Sequence, residues 1–227
     1  YFRNQKYFQP TVQNEITKKL QKDLLSSFKN GDYVEANSLH ESYKKIYGFE
    51  SFLTDVLIPL IEEIESLGYS KKIDLGTQTT CYNAIQDLLN LILETNPTKL
   101  KKKKILICVP YGEQHTFGTK VLESQLTSTG NVVYNLSPFT PTSSIMESIE
   151  YNNPDCIFVS ITLDENILSA KRMVQKINDK YAIPVIVGGQ AVKSDSENWN
   201  ASIGQNLSIT KILKLIQSKK SEIIQIA

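Results

Sequence analysis

The residues of this chain that could bind a metal stand in one turn. The segment VPYGEQHTFG, residues 109–118, follows an apolar run and contains His115, one of the two histidines of the sequence. Glu113 precedes this histidine by two positions, and Gly118 follows it by three. Neutral imidazole is a common ligand of transition metals, so the turn is a candidate metal site. The other interpretation is a polar turn before a helix, in which Glu113 is a favourable N-terminal acid.

Two further turns are also built from small residues. SITLDEN, residues 160–166, and VGGQAVKSD, residues 187–195, each come at the end of an apolar run and are rich in glycine or small hydroxyl residues. Such residues let a bulky ligand approach the backbone, and open parallel sheets bind ligands beyond the carboxyl ends of their strands. The pattern does not favour a phosphoacceptor site, because the strand ends lack acidic residues. It does not favour a dinucleotide site either, because the first turn lacks GxGxxG.

A parallel sheet would bring these turns together. Continuous apolar runs predict strands that are covered on both faces, and a weak fifth strand is predicted near residues 205–207. The predicted strands are 105–110, 131–136, 156–162 and 184–189, and the predicted helices are 116–128, 141–152, 165–181 and 209–219. This alternation predicts an α/β fold, a flavodoxin-like (Rossmann-like) doubly wound parallel sheet with right-handed crossovers.

The first part of the chain shows helical periodicity instead. It predicts a four-helix bundle with short connections, whose helices run from Thr11 to Gly31, Asp32 to Gly48, Ser51 to Gly68 and Thr77 to Thr95. Pro59 should remove one backbone hydrogen bond from the third helix and bend it. The second helix is predicted to place His40 in solvent and to carry its apolar face on Val34, Leu39, Tyr43 and Ile46.

The lysine run KLKKKK, residues 99–104, separates the two parts and is interpreted as a solvated linker. The predicted organisation is a linker at 1–10, a four-helix-bundle cap at 11–98 and an α/β domain at 99–227. The chain opens on Tyr1 rather than Met, so we expect an upstream segment that this sequence does not include.

The overall composition excludes several classes of protein. A formal net charge of +1 with 41% apolar residues predicts neither a nucleic-acid surface nor an acidic tail. No apolar run approaches the roughly 18–20 residues needed to span a bilayer, and the first residues do not resemble a signal peptide. Cys81, Cys108 and Cys156 have no CxxC spacing, which indicates reduced, buried thiols in a cytoplasmic protein.

Three ordered features resemble a known family. The spacing Glu113-x-His115-x-x-Gly118 resembles the D-x-H-x-x-G signature of cobalamin-binding domains. Ser160-x-Thr162 is similar to the second cofactor turn of CarH/LitR-type regulators of the MerR family, and Gly188-Gly189 is similar to the third. The predicted helical bundle also looks like the cap of methionine-synthase and CarH-type modules. The resemblance covers the chain from about residue 12 onwards.

The resemblance implies a role for each of these residues. His115 would be the lower axial ligand of cobalt, and Glu113 would accept the other ring N–H. Because Glu113 is one methylene longer than the usual aspartate, this relay is expected to be longer or broken. Gly118 would let the displaced nucleotide tail pass between the first helix and the sheet, and Thr116 would also belong to the cofactor site. Ser160 and Thr162 would form hydrogen bonds with the tail, and Gly188 and Gly189 would leave room for it.

The resemblance fails where the cap covers the upper face of the corrin. CarH-type caps carry a tryptophan and a Glu-His pair, whereas this chain has Gly68 beside Tyr69, and then Gln78 and Thr79. Losing an indole removes on the order of 150–250 Å² of potential contact. Tyr69 either refills part of that space or packs on the bundle surface. The loop NLSPFTPTSS, residues 135–144, also departs from the family. The alternatives are a corrinoid with another upper ligand, haem on the same histidine, or no cofactor.

Three functions are therefore considered. The first is a sensory module that binds cobalamin and controls the homo-oligomerisation and DNA binding of a transcription regulator, with DNA contacted only through a domain outside this chain. Photoswitching is expected to be weak or absent. The second is the corrinoid protein of a methyltransferase system, and the third is a cofactor-free interaction module. The sequence shows no nucleophile–base pair and no paired acids, so a stand-alone enzyme is not expected.

Overall fold

A computed structural model describes residues 10–95, 103–138, 140–194, 202–203 and 223–225. The chain divides into two units, Tyr1–Thr95 and Asn96–Ala227, which we call the helical unit and the α/β unit. Residues 1–9 of the predicted linker and most of the lysine run lie outside the described residues, as do the strand predicted near 205–207 and the helix predicted at 209–219.

The helical unit contains the four predicted helices, the third of which is irregular. Buried Leu24, Phe28, Phe52, Leu57 and Leu88 belong to its apolar core. Its elements are α1 (Pro10–Lys29), α2 (Tyr33–Tyr47), α3 (Phe49–Ser51), a π-helical segment (Phe52–Leu57), α4 (Ile58–Tyr69) and α5 (Leu75–Thr95). As predicted, Asp32 begins the second helix, and its carboxylate accepts a hydrogen bond of 2.9 Å from the backbone N–H of Glu35.

Pro59 explains the irregularity of the third helix. A proline inside a helix has no N–H to donate to the carbonyl four residues earlier, which here belongs to Asp55. The structure meets this loss in two ways. The N–H of Ile58 donates to the carbonyl of Leu53, five residues back. The Nε2 atom of Gln21 in α1 lies 3.2 Å from the carbonyl oxygen of Asp55 and 3.3 Å from that of Val56. The wider π turn and the glutamine therefore accommodate the proline.

The buried face of α2 differs from the prediction. Val34 is 65% exposed and Ile46 is 66% exposed, while Ala36, His40 and Tyr43 are buried. The prediction that His40 is solvated is therefore wrong. The imidazole of His40 packs against the rings of Phe49 and Phe52, with centroids 5.9 and 4.6 Å away. Aromatic residues that follow α2 in the chain thus cover His40, and the buried face of α2 is not the one that its apolar residues indicated.

The α/β unit contains a parallel sheet. Its strands are β1 (Lys104–Cys108), β2 (Val132–Asn135), β3 (Cys156–Ser160), β4 (Val185–Gly188), β5 (Ser202–Ile203) and β6 (Ile223–Gln225). The order is β2-β1-β3-β4-β6-β5, and every neighbouring pair is parallel. The first four strands follow the predicted flavodoxin-like order. Cys108 pairs with Val159, and Ser160 pairs with Gly188, so the turns after β1, β3 and β4 begin at one edge of the sheet.

Helices connect these strands close to the predicted positions. They are α6 (Phe117–Ser128), α7 (Thr142–Asn152), α8 (Ile167–Lys180) after a 3-10 turn (Asp164–Asn166), and α9 (Gln190–Ser194). The sequence did not predict α9, which begins directly after Gly189. One apolar cluster joins residues of α7 and α8 to the sheet, and a second contains Leu126 of α6, so both faces of the sheet are covered.

Two expectations from composition can be compared with the structure. All three cysteines are buried and free, as predicted. No helix among the described residues combines the length and the apolar character that crossing a membrane requires.

Candidate functional site

The centre of the site is a short hydrogen bond between a buried acid and a half-exposed histidine. Nδ1 of His115 lies 2.6 Å from Oε1 of Glu113, and the same oxygen accepts the backbone N–H of His115 at 3.1 Å. The Glu113 side chain is fully buried, while that of His115 is 46% exposed. An ionised carboxylate only accepts hydrogen bonds, so Nδ1 carries the proton of the neutral ring. Nε2 then holds a lone pair, and no hydrogen bond occupies it within the described residues.

The second oxygen of Glu113 connects the turn after β1 to the turn after β3. Oε2 accepts the backbone N–H groups of Thr162 at 3.0 Å and Leu163 at 3.1 Å. It also accepts Nδ2 of Asn166 at 3.0 Å. The extra methylene of glutamate therefore does not break the contact with His115. It lets one carboxylate serve the histidine and the turn after β3 together.

These contacts set the charge of Glu113. Burial on its own would raise the pKa of the carboxyl group. Hydrogen bonds from the amide of Asn166, from His115 and from the backbone of Leu163 and Thr162 outweigh burial and lower the pKa to about 2. Glu113 is therefore a carboxylate throughout the physiological pH range, and it stabilises the ring orientation of His115.

Gly118 lies near Ser160 with space between them. Gly118 is exposed at the beginning of α6, and a Cβ atom placed on it would lie 3.7 Å from Oγ of Ser160, an ordinary contact distance. Its φ angle is outside the left-handed region. The protein itself therefore gives no steric reason for glycine at this position. Thr116, the predicted site residue just before α6, uses its carbonyl oxygen to accept Oγ1 of Thr119 at 2.7 Å.

The glycine at position 189, by contrast, is required by packing within the protein. Its φ angle is +118°, and a Cβ atom there would collide with the carbonyl oxygen of Ile161. The backbones of the two turns meet at this point, because the N–H of Ile161 donates to Gly188 at 2.9 Å and the N–H of Ala191 donates to Ile161 at 3.2 Å. This close approach alone requires glycine at 189, so the residue is not a sign of room for a ligand.

The structure thus places the predicted residues of the α/β unit at one edge of the sheet. Glu113 joins His115 to Thr162, Gly118 faces Ser160, and Gly189 packs on Ile161. Leu163 and Asn166 are the residues that sequence reasoning missed. Asn166 stands at the N-cap position of α8, and its type there is ordinary for a helix start. Its contact with Glu113 joins residues 53 positions apart in the sequence, so no local pattern indicates it.

The remaining predicted site residues belong to the helical unit. A Cβ atom on Gly68 would lie 2.5 Å from Nε2 of Gln78, whose amide donates to Oη of Tyr82 at 3.1 Å. Tyr69 is 85% exposed. The hydroxyl of Thr79 donates to the carbonyl of Leu75 at 2.8 Å. Within this unit, therefore, Gln78 fills the space next to Gly68, and Tyr69 does not.

Within the described residues, His115 does not belong to a cluster of metal ligands. No group of three or more His, Cys, Asp or Glu residues that could hold a bare metal ion occurs in the part of the chain that the structure describes. A metal that brings most of its ligands with it, as in a macrocycle, suits one exposed imidazole nitrogen.

Two comparisons of sequence support such a cofactor. Residues 103–206 match the family model described as the B12 binding domain, a range that includes every predicted site residue of the α/β unit. The chain is also similar to the glutamate mutase sigma subunit of Fusobacterium nucleatum subsp. nucleatum. The two are 29% identical over 103 residues, which are 44% of this chain and 74% of that protein.

A solved structure extends the likeness to the helices. The monomethylamine corrinoid protein of Methanosarcina barkeri matches with a TM-score of 0.61 and 14% identity over 92% of each chain. At this identity the likeness concerns the fold, an α/β sheet preceded by a helical cap. Together the findings support a cobalamin-binding domain. A match to a domain that binds B12 is consistent with the prediction that this chain is not a stand-alone enzyme. The findings do not show a CarH-type regulator.

Proposed function

We propose that this chain binds cobalamin through its α/β unit and that Nε2 of His115 is the lower axial ligand of cobalt. The observation that carries the proposal is the direction of the Glu113–His115 hydrogen bond. The buried carboxylate holds the proton on Nδ1, and the other nitrogen of this half-exposed ring is left as a lone-pair donor. A histidine whose second nitrogen is fixed by a carboxylate is the usual arrangement of a metal-binding imidazole.

Gly118 supports the same proposal from a second direction. Its environment would accept a side chain, so the glycine there is better explained by something outside the protein that passes close to the backbone. We assign this space, between the start of α6 and Ser160, to the nucleotide tail. Ser160 and Thr162 are both half-buried at its edge and have hydroxyl groups that can bond with a polar tail.

Bound cobalamin would supply a cobalt centre that can carry an alkyl group. The residues of this chain would orient that centre rather than transform a substrate. Glu113 would fix the ring of His115, and Gly118 would admit the tail. Haem on the same histidine remains the alternative cofactor, because one imidazole nitrogen can also bind the iron of haem.

We propose the effector part of a transcription regulator as the first role for this binding. It rests on the resemblance of the turns and the cap to CarH/LitR-type proteins. Cobalamin would favour one oligomeric arrangement and shift the population towards it. The residues that cover the upper face in those proteins are replaced by Gly68, Tyr69, Gln78 and Thr79, so we expect little response to light.

The second candidate role is a corrinoid subunit that works with a separate enzyme. The similarity to a protein named as a mutase subunit favours it. The two roles differ in what the loaded protein does. A regulator would change its oligomeric state on adding cobalamin, as measured by light scattering in darkness and light. A corrinoid subunit would keep its oligomeric state under the same conditions.

A titration with hydroxocobalamin, adenosylcobalamin and haem tests the binding itself. The absorbance spectrum of an added cobalamin should shift when wild-type protein is present, and this shift should be lost with His115→Ala. Gln114→Ala is the matched control, because Gln114 is an exposed neighbour in the same turn. Identical spectra of wild type and His115→Ala with every cobalamin would refute the proposal, and a change with haem alone would replace cobalamin with haem.

A further inference from the structure

The carboxylate of Glu113 has one neighbour that substitution can remove without touching the histidine. Among the described residues, Oε1 is hydrogen-bonded to His115 alone, through Nδ1 and the backbone N–H. Within the same residues, Oε2 accepts two backbone N–H groups and one side chain, the amide of Asn166. Asn166 is only 8% exposed, so its amide is withdrawn from water like the carboxylate that it contacts.

The orientation of the Asn166 amide is fixed by its surroundings. Nδ2 points at Glu113, and Oδ1 points towards Gly112. A Cβ atom on Gly112 would lie 3.4 Å from that oxygen, and the φ angle of Gly112 is +100°. Turning the amide over would bring Oδ1 against the carboxylate of Glu113, where two acceptors would repel each other. The turn after β1 therefore accommodates the amide oxygen, and the amide holds the carboxylate.

We propose that Asn166 is a positioning residue for His115 and that Glu113 and Asn166 form a matched pair. Asn166 anchors Oε2, and this anchor sets the position from which Oε1 reaches Nδ1 of the imidazole. The inference rests on the proposed function, because the orientation of His115 matters only if Nε2 meets a ligand. It accounts for glutamate at 113, where the family carries aspartate. The side chain is longer here, and it bridges the histidine and the N-cap residue of α8.

The chain length of the pair gives the proposal a distinctive consequence. Aspartate at 113 would be shorter by one carbon–carbon bond, roughly 1.5 Å, and could not contact His115 and Asn166 together. Glutamine at 166 would be longer by the same amount. The double variant Glu113→Asp/Asn166→Gln should therefore recover what Glu113→Asp loses. A residue that merely fills space beside Glu113 would give no such recovery.

Nitrogen NMR of the two histidine rings measures their tautomers without any cofactor. In wild type, His115 should be found with its proton on Nδ1. In Asn166→Leu, which has the same branched shape and number of side-chain heavy atoms but no donor, we expect a mixture of the two tautomers. His40 is the internal control, since it lies in the helical unit and its signals should not change. His115→Ala identifies which signals belong to His115. Should Asn166→Leu fail to fold, Asn166→Ala removes the same donor.

Hydroxocobalamin affinity is the second measurement. Losing a residue that orients a metal ligand typically costs 10–100-fold, so we expect Asn166→Leu and Glu113→Asp each to bind at least 10-fold more weakly. The double variant should bind more tightly than Glu113→Asp. Unchanged tautomers in folded Asn166→Leu, or a double variant no better than Glu113→Asp, would overturn the inference. If wild type binds no cobalamin, the proposed function fails, while the NMR result still decides the role of Asn166.

Discussion

Gln78 occupies the space beside the Cα atom of Gly68. A Cβ atom on Gly68 would lie 2.5 Å from Nε2 and 2.7 Å from Oε1 of the glutamine side chain. Gln78 belongs to α5, so a side chain from another helix fills the volume that a larger residue at position 68 would need. The amide of Gln78 also donates a hydrogen bond to Oη of Tyr82. The glycine at position 68 and the placement of Gln78 therefore depend on each other.

This packing predicts the effect of a methyl group at position 68. Gly68→Ala should gain about 0.5–1 kcal/mol of helix stability and lose a similar amount as Gln78 moves away from Tyr82. We therefore expect a free energy of unfolding within about 1 kcal/mol of wild type, measured by urea denaturation. In a Gln78→Ala background nothing opposes the gain, so the same substitution should stabilise. Equal effects in both backgrounds would contradict the contact.

Gly189→Ala should be far more damaging than Gly68→Ala. The flexible end of a glutamine can move away from a new methyl group, but the carbonyl of Ile161 is backbone in the turn after β3. A positive φ adds strain of about 1–3 kcal/mol for a residue other than glycine. We expect a loss of at least 2–3 kcal/mol in the free energy of unfolding, seen as a lower urea midpoint. A variant as stable as wild type would show that the two turns do not meet as described.

Gly118→Ala should separate stability from binding. The added Cβ atom has an ordinary contact distance to Oγ of Ser160, and the residue is helical. Replacing an unstrained helical glycine by alanine typically stabilises a protein by about 0.4–1 kcal/mol. The unloaded protein should therefore be as stable as wild type or more so, by urea denaturation.

The same variant should bind hydroxocobalamin at least several-fold more weakly if the nucleotide tail passes against this backbone. Spectroscopic titration measures the change, with Gln114→Ala as the control for a neutral substitution nearby. Unaltered affinity in Gly118→Ala would show that the nucleotide tail does not pass through this space. The proposal that His115 is a ligand would still stand.

Local pattern was enough to predict the sheet and most of its helices. The strands β1, β3 and β4 are continuous apolar runs, and the helices between them have clear periodicity, so each element is specified by its own residues. The short helix α9 was missed because Gly188 and Gly189 precede it and signal a loop. The glycine at 189 serves the contact with Ile161, which the sequence does not display.

The site was predicted in part for the same reason. Glu113, His115 and Gly118 stand within one turn, so their spacing suggested a metal ligand and its support. The contacts of Glu113 with Thr162 and Asn166 join positions about 50 residues apart, and only folding brings them together. The length of the glutamate side chain was therefore misread as a weakness, whereas in the structure it is what lets the carboxylate reach both turns.

His40 shows most clearly that sequence neighbours do not determine which residues are buried. Its sequence neighbours are polar, but its spatial neighbours are the rings of Phe49 and Phe52, and neither ring nitrogen has a hydrogen-bond partner in the part of the chain that the structure describes. Nδ1 does lie 3.4 Å from Oε1 of Glu41. Burial lowers the pKa of His40 to about 4, and Lys44 adds to this, while Glu41 opposes it.

The lowered pKa makes the stability of the helical unit depend on pH. As pH falls below 6.5, the unfolded chain takes up a proton at His40, but the folded chain does not until about pH 4. The unfolded state binds more protons in this window, so the free energy of unfolding decreases as pH falls, by up to roughly 3 kcal/mol, and then levels off below pH 4.

His40→Leu removes the titrating group and two unsatisfied nitrogens, so at pH 7.5 we expect this variant to be at least as stable as wild type. Urea denaturation at pH 7.5, 6, 5 and 4 measures both proteins, and subtracting one curve from the other cancels the carboxylates that titrate in the same range. The difference should widen in favour of the leucine variant as the pH falls. Parallel curves would mean that His40 is protonated as easily in the folded chain as in the unfolded one.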